Sequence, residues 1–230
     1  MGLINCVIFD CDGTLIDSEK LCCRAVVNTF KQVGIELEFD EVQRQFVGGK
    51  VADILSHYKS FSGCQVSLDM LEPIYRNETA HLFAHYLKPM PGASSLLDSL
   101  TKQGIEYALV TNGPTSKTES LLSMVGLLDK FRGKIVSAFD ANSWKPEPDL
   151  LKYAIMILGF VPDECIYVDD TKKGVEMGLN VGIRTVHFTL NKEIPESELC
   201  VVCSSLDDVG HYISEVSARC GGVLLNESEE

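Results

Sequence analysis

Two carboxylates, Asp10 and Asp12, stand one residue apart directly after a short apolar run, in the stretch FDCDGTLIDSE from Phe9 to Glu19. Side chains at i and i+2 point the same way when the backbone stays extended. Acids paired on one side of a site either bind a hard cation through oxygen or divide the roles of nucleophile and proton carrier. Gly13 permits a sharp turn behind them, and Thr14 adds a hydroxyl. Three further polar groups invite the same attention: Thr111-Asn112-Gly113, Lys145-Pro146 and a second acidic pair, Asp169-Asp170. Taken singly, each has a plainer reading. Asp17 or Ser18 can cap a helix, Thr-Asn-Gly is commonly a turn, Lys before Pro is commonly a surface loop, and Asp169-Asp170 can cap a helix over Thr171–Asn180.

The elements that would carry these residues argue for placing them together. Cys6–Phe9, Tyr107–Val110 and Cys165–Val168 are short apolar runs rich in β-formers, with Lys134–Ser137 and Thr185–Phe188 as weaker strand candidates. Helical patterns over Ala93–Gln103, Lys117–Val125, Pro148–Leu158 and Gly174–Leu179 separate them. Alternating strands and helices predict a parallel sheet covered on both faces, with ligands bound beyond the carboxyl ends of the strands. Each strong strand is followed at once by one of the polar groups, so three strand ends would converge at one sheet edge. The chain between Asp10 and Tyr107 is too long for one crossover. Helical patterns there, over Ser18–Gln32, Asp40–His57 and Leu68–Tyr86, predict an inserted helical domain, and Pro89, Pro91 and Gly92 mark the return to the sheet. The predicted organisation is α/β: a Rossmann-like parallel-sheet core over 1–15 and 88–222, a helical cap over 16–87, and a fraying tail over 223–230.

In this order behind these strands, Asp10-Cys11-Asp12-Gly13-Thr14, Thr111, Lys145-Pro146 and Asp169-Asp170 resemble the haloacid dehalogenase superfamily along essentially the whole chain. Within it the sequence is most similar to the β-phosphoglucomutase-like branch, whose helical cap lies between the first two motifs. The text NGPxxK and WKPxP is similar to bacterial sugar-phosphate phosphatases, including one acting on 6-phosphogluconate. The resemblance implies a Mg2+-dependent phosphatase of a small phosphorylated metabolite. In it, Asp10 attacks phosphorus to form an aspartyl-phosphate, and Asp12 protonates the leaving oxygen and then deprotonates the hydrolytic water. Asp10, the backbone carbonyl of Asp12, and Asp170 hold the metal, with Asp169 nearby or also ligating. Thr111, Asn112 through its backbone N–H, and Lys145 hold the phosphoryl oxygens. The cap would choose the substrate: Lys50 follows Gly48-Gly49 in the stretch FVGGK, and Arg24, Arg76 and Lys117 are weaker candidates of the same kind.

The same resemblance offers rivals. Dehalogenases of this fold lack the second aspartate and the metal cluster. Phosphonate-cleaving relatives use a cap lysine as a Schiff base but lack an acid at the position of Asp12. A sugar-phosphate mutase shares all the catalytic residues and is the main alternative. A phosphate-binding protein that kept only the fold would not need the intact set.

Bulk properties exclude other classes. A formal net charge of −13 repels a phosphate backbone or an anionic membrane, so neither nucleic acid nor membrane is expected as partner. Nine cysteines, an odd number at irregular spacings, read as reduced thiols of a cytoplasmic protein. The five histidines are scattered, and the i, i+4 pair His81 and His85 has no zinc-site pattern around it. Oligomeric state has no signal in the sequence.

Overall fold

The computed structural model describes residues 3–46, 48–189 and 197–224, with side chains to residue 218. The elements run β1 (Cys6–Phe9), α1 (Glu19–Gln32), α2 (Phe39–Gln45), α3 (Val51–Ser62), α4 (Leu68–Tyr86), α5 (Ala93–Gln103), β2 (Glu106–Thr111) and α6 (Thr115–Met124). There follow β3 (Ile135–Ser137), α7 (Ala138–Ala141), α8 (Asp149–Leu158), β4 (Cys165–Asp169), α9 (Lys172–Val181), β5 (Arg184–Phe188), β6 (Cys200–Cys203) and α10 (Leu206–Leu224). The chain divides into two compact units, one of residues 1–16 and 89–230, the other of residues 17–88.

In the first unit six strands form one sheet in the order β3-β2-β1-β4-β5-β6, every neighbouring pair parallel. The three strongest apolar runs are its adjacent strands β2, β1 and β4, buried along nearly their whole length. A strand covered on both faces has no need for alternation, which is why these runs are continuously apolar. One face packs Cys6, Ile8, Cys165 and Tyr167 against Leu150, Leu151, Ala154 and Ile155 of α8 and Met177 of α9. By the period of two, Asp10 and Asp169 continue that face past the apolar layer. The chain crosses between units at a short paired segment, where Met90 N–H donates to the Leu15 carbonyl at 2.8 Å and Asp17 N–H to the Lys88 carbonyl at 3.0 Å.

The second unit is helical, with α1, α2, α3 and α4 enclosing a core that includes Val26, Phe30, Leu55, Tyr58, Leu71 and Tyr75. The single helix expected over Asp40–His57 is instead two, α2 and α3. Gly49 between them sits at φ +138°, a conformation that residues with a side chain avoid and that cannot continue a helix.

Three elements were not foreseen: α7, a single turn after β3; β6, an edge strand of four residues; and α10, which carries the chain on to Leu224. Residues 225–230 of the tail expected to fray lie outside the described residues. The cysteine pattern also contains one C-x-x-C spacing, at Cys200 and Cys203. Both residues lie on β6, where positions i and i+3 face opposite sides of the sheet, so the pair can neither bridge nor chelate. The cysteines with described side chains are all free thiols. No helix among the described residues is long and apolar enough to cross a membrane.

Candidate active site

The site begins where β1 and β4 run out together. Asp10 N–H donates to the Val168 carbonyl at 2.9 Å, so the first residue past β1 is locked beside the end of β4, next to Asp169. Asp10, Asp169 and Asp170 each place a carboxylate oxygen within 4.8 Å of the others. Asp10 is 7% exposed and Asp169 fully buried. Two glycines make this crowding possible. A Cβ on Gly174, in the first turn of α9, would lie 1.9 Å from the Asp169 carboxylate, and one on Gly13 would lie 2.2 Å from Asp170 Oδ2. Gly13 also sits at φ +87°, which turns the chain so that Thr14 Oγ1 donates to Asp170 Oδ1 at 3.0 Å. The acidic pair does not cap α9. Thr171 does, its hydroxyl oxygen accepting the Gly174 N–H at 3.0 Å, which leaves both aspartates for the site.

Lys145 arrives from the loop before α8 and is 9% exposed. Its ammonium donates to Asp169 Oδ2 at 2.7 Å and to Asp10 Oδ1. Asn112 secures that loop: its side-chain Oδ1 accepts the Lys145 backbone N–H at 3.0 Å. Thr111, 4% exposed, ends β2, and its hydroxyl oxygen accepts the Gly113 N–H at 3.1 Å. Ser137, at the end of β3, donates to the Gly113 carbonyl at 2.7 Å and so pins the same turn. Asp12 and Asn112 are exposed. The structure thus brings Asp10, Asp169, Asp170 and Lys145 into one cluster, and ties Asn112 to the Lys145 loop. Lys50 belongs to the other unit, exposed at the N-terminus of α3. Arg24, also exposed, lies over the Phe39 ring at 4.2 Å within that unit, and Arg76 pairs with Glu72 at 3.2 Å on α4. Both have local partners that account for them.

The electrostatics of the cluster are unbalanced. Three carboxylates face one ammonium, so negative charge is in surplus. Burial, and then the neighbouring carboxylates working against Lys145, push Asp10 up to about 7. Asp170 is raised well above the ordinary carboxylate range by burial, Asp169 and Asp10. Burial acts on Asp169 in the same direction, but Lys145 and the hydrogen bonds from Lys145, Tyr167 and Thr171 outweigh it and hold its pKa down. Lys145 is raised, because Asp10 and Asp169 together overcome its own desolvation. Asp10, Asp169 and Asp170 thus form a cluster of carboxylate oxygens that could hold a cation. The donor set is all oxygen, which suits a hard divalent ion and not a thiophilic one.

Several contributors were not foreseen. Tyr167 donates its hydroxyl to Asp169 Oδ2, and Thr171 donates both its N–H (2.8 Å) and its hydroxyl (2.7 Å) to Asp169 Oδ1. His187 on β5 lies 3.2 Å through Nε2 from the Asp170 carbonyl, and its Nδ1 is buried without a hydrogen-bond partner. The available signal was strand parity. Tyr167 is two residues before Asp169 on β4, and His187 stands in register with Asp169 across the β4–β5 pair, so both share its face.

Comparison with known proteins gives a consistent picture. Residues 7–188 match the family described as haloacid dehalogenase-like hydrolase. The chain is 35% identical to the 6-phosphogluconate phosphatase of Escherichia coli, over 82% of this chain and 84% of that protein. It is 31% identical to hexitol phosphatase A of the same organism, over 88% of this chain and 91% of that protein. Among solved structures, a conserved haloacid dehalogenase-like protein from Agrobacterium tumefaciens superposes with a TM-score of 0.78, covering 93% of this chain and 99% of that one. At 24% identity that last likeness concerns the fold.

Proposed function

The chain belongs to the haloacid dehalogenase-like hydrolase family and is a phosphoric monoester hydrolase, and from that premise we propose that it is a Mg2+-dependent phosphatase of a small phosphorylated sugar or sugar acid such as 6-phosphogluconate. The observation that carries this reading is the cluster at the carboxyl ends of β1 and β4, where one buried ammonium is shared by Asp10 and by Asp169 of the acidic pair.

In this reading Asp10 attacks phosphorus: a bond forms from its carboxylate oxygen as the ester oxygen leaves, giving an aspartyl-phosphate. Asp12, exposed and two residues further on, gives its proton to the leaving oxygen and recovers one from the water that hydrolyses the intermediate. Lys145, Thr111 and the Asn112 backbone N–H hold the phosphoryl oxygens, over which charge spreads in the transition state. Asp10, the Asp12 carbonyl and Asp170, with Asp169 behind them, would hold the metal. A bound Mg2+ would supply the positive charge that lets an anionic nucleophile approach a phosphoryl dianion.

The helical unit of residues 17–88 is read as the cap that selects the substrate. Lys50, exposed beside Gly48-Gly49, is its proposed contact with a carboxylate or hydroxyl remote from phosphorus. Phosphate release from a panel of sugar phosphates and sugar-acid phosphates, with Mg2+ and with EDTA, tests the whole reading. Turnover should need the metal and favour one class of sugar. Full activity in EDTA would remove the metal from the proposal. Isomerisation without phosphate release would replace the phosphatase by the mutase.

A further inference from the structure

Tyr167 has no packing reason to carry a hydroxyl. It is fully buried among Cys6, Ile8, Leu150, Leu151, Cys165 and Met177, an apolar setting that phenylalanine would fill with less polar surface to desolvate. Its ring lies 5.7 Å from the Lys145 ammonium, and its hydroxyl is spent on a single acceptor, Asp169 Oδ2. That oxygen is also the one that binds Lys145.

A carboxylate offers about four acceptor directions. In Asp169 all four are taken, two on Oδ1 by the Thr171 N–H and hydroxyl, and two on Oδ2 by Lys145 and Tyr167. Asp169 thereby becomes an anchor of fixed direction. Lys145 is held between two carboxylates that compete for it, Asp10 in front and Asp169 behind. A hydrogen bond donated to Oδ2 withdraws charge from that oxygen and weakens its grip on the ammonium.

We propose that Tyr167 is a positioning residue: by donating its hydroxyl to Asp169 Oδ2, it keeps the Lys145 ammonium shared with Asp10 and available to the phosphoryl group instead of collapsed onto Asp169. The proposal rests on Lys145 serving the phosphoryl site. Tyr167 touches neither substrate nor metal in it and acts only through Asp169 and Lys145.

The test is Tyr167→Phe, with Ile183→Val in the same apolar cluster as the packing control. Two readouts are taken. The first is steady-state turnover of p-nitrophenyl phosphate with Mg2+. The second is the side-chain ammonium signal of Lys145 in metal-free protein labelled with 15N-lysine, assigned by its loss in Lys145→Met. Removing one hydrogen bond to a charged group predicts about a ten-fold fall in kcat. KM should stay within about two-fold, because the loss is felt as charge develops on the phosphoryl oxygens. The lysine signal should shift and exchange faster with water in Tyr167→Phe and stay in place in Ile183→Val. An unchanged kcat overturns the proposal. So does a fall in kcat with an unmoved lysine signal, or a fall matched by Ile183→Val at equal loss of Tm. A wild-type chain inactive on phosphate esters, with a lysine signal that still depends on Tyr167, would sink the phosphatase reading and leave the positioning contact intact.

Discussion

The two units handle buried polarity in opposite ways. In the helical unit the buried polar residues among those described are Ser18 and Thr29, the latter bonding its own helix at Ala25. Its charges are on the outside, and its core is ordinary apolar packing around Phe30, Tyr58 and Tyr75. In the sheet unit Asp10, Lys145, Asp169 and His187 are all buried, and they gather where β1, β4 and β5 end. Burying charge costs folding free energy unless it is paired and hydrogen-bonded. The fold accepts this cost at one place and avoids it throughout the rest of the described chain, a contrast that fits the proposed division between a catalytic sheet unit and a selecting helical unit. The fixed electrostatics sit on rigid strand ends, and the helical unit is free to vary its exposed side chains.

Asp10→Asn makes the sharpest break in that comparison. Amide nitrogen and oxygen cannot attack phosphorus, so turnover should fall by about four orders of magnitude or more. Stability should move the other way. With its pKa pushed up to about 7, Asp10 is ionised at pH 8 in the folded chain against the preference of its site. The neutral amide relieves that, so metal-free Asp10→Asn should show a higher Tm at pH 8 than the wild type. A lower Tm would mean that the attraction to Lys145 outweighs the burial of the charge.

Lys145→Ala comes next. It removes the ammonium that two carboxylates share, and should lower kcat/KM by about 10²–10³, the scale of losing a charged group aimed at the transition state. Unlike Asp10→Asn it should also lower Tm, because Asp10 and Asp169 then face each other without compensation. An unchanged Tm would show that protonation of the carboxylates absorbs the loss.

The third effect is on the pH dependence of stability. The folded pKa of Asp10 lies near 7, above its ordinary 3.8, and that of Asp170 is raised as well. Groups shifted upward contribute stability that is present below their unfolded pKa and is lost as pH rises through the folded value. Asp169 is shifted downward and has the opposite sign, its contribution being lost only as pH falls into the acid range. Between pH 5 and pH 8 the metal-free protein should therefore lose stability at this site. A divalent ion binds the ionised carboxylates, so Mg2+ should raise Tm clearly at pH 8 and little at pH 5. Equal shifts at both pH values, followed by thermal melts, would contradict the assignment of the cluster as a cation site.

What the sequence showed and what it concealed divide along similar lines. The strand-end positions of Asp10, Thr111 and Asp169-Asp170 were legible because each interrupts or follows an apolar run, and a parallel sheet brings strand ends together. Lys145 has no such marker. It lies in the loop between α7 and α8, and only the order of motifs singled it out. Tyr167 was concealed because tyrosine is a good β-former, and in CIYV it reads as one more core residue. The split of Asp40–His57 was concealed because Gly48-Gly49 reads equally well as a close approach to a ligand and as a helix break. β6 was missed because four residues at a sheet edge give too short a pattern.

Lys50→Ala should have the smallest effect and is the test of the helical unit's share. Its ammonium is exposed and carries no structural duty among the described contacts, standing at the start of α3 just after Gly49. Folding should therefore be untouched, with Tm within about a degree, as for surface substitutions away from special features. If Lys50 meets a carboxylate or hydroxyl of the substrate, losing one charge-assisted contact costs about 1.5–3 kcal/mol, roughly ten- to hundred-fold in kcat/KM for the preferred sugar phosphate. p-Nitrophenyl phosphate has no such group and would be turned over as before. The ratio of the two kcat/KM values is thus the measurement, since it cancels any change in active-enzyme concentration. A ratio equal to the wild type's would place selectivity elsewhere on the helical unit or on the sheet unit itself, where Lys117 in the first turns of α6 bears on the Cys11 environment and is the next residue to replace.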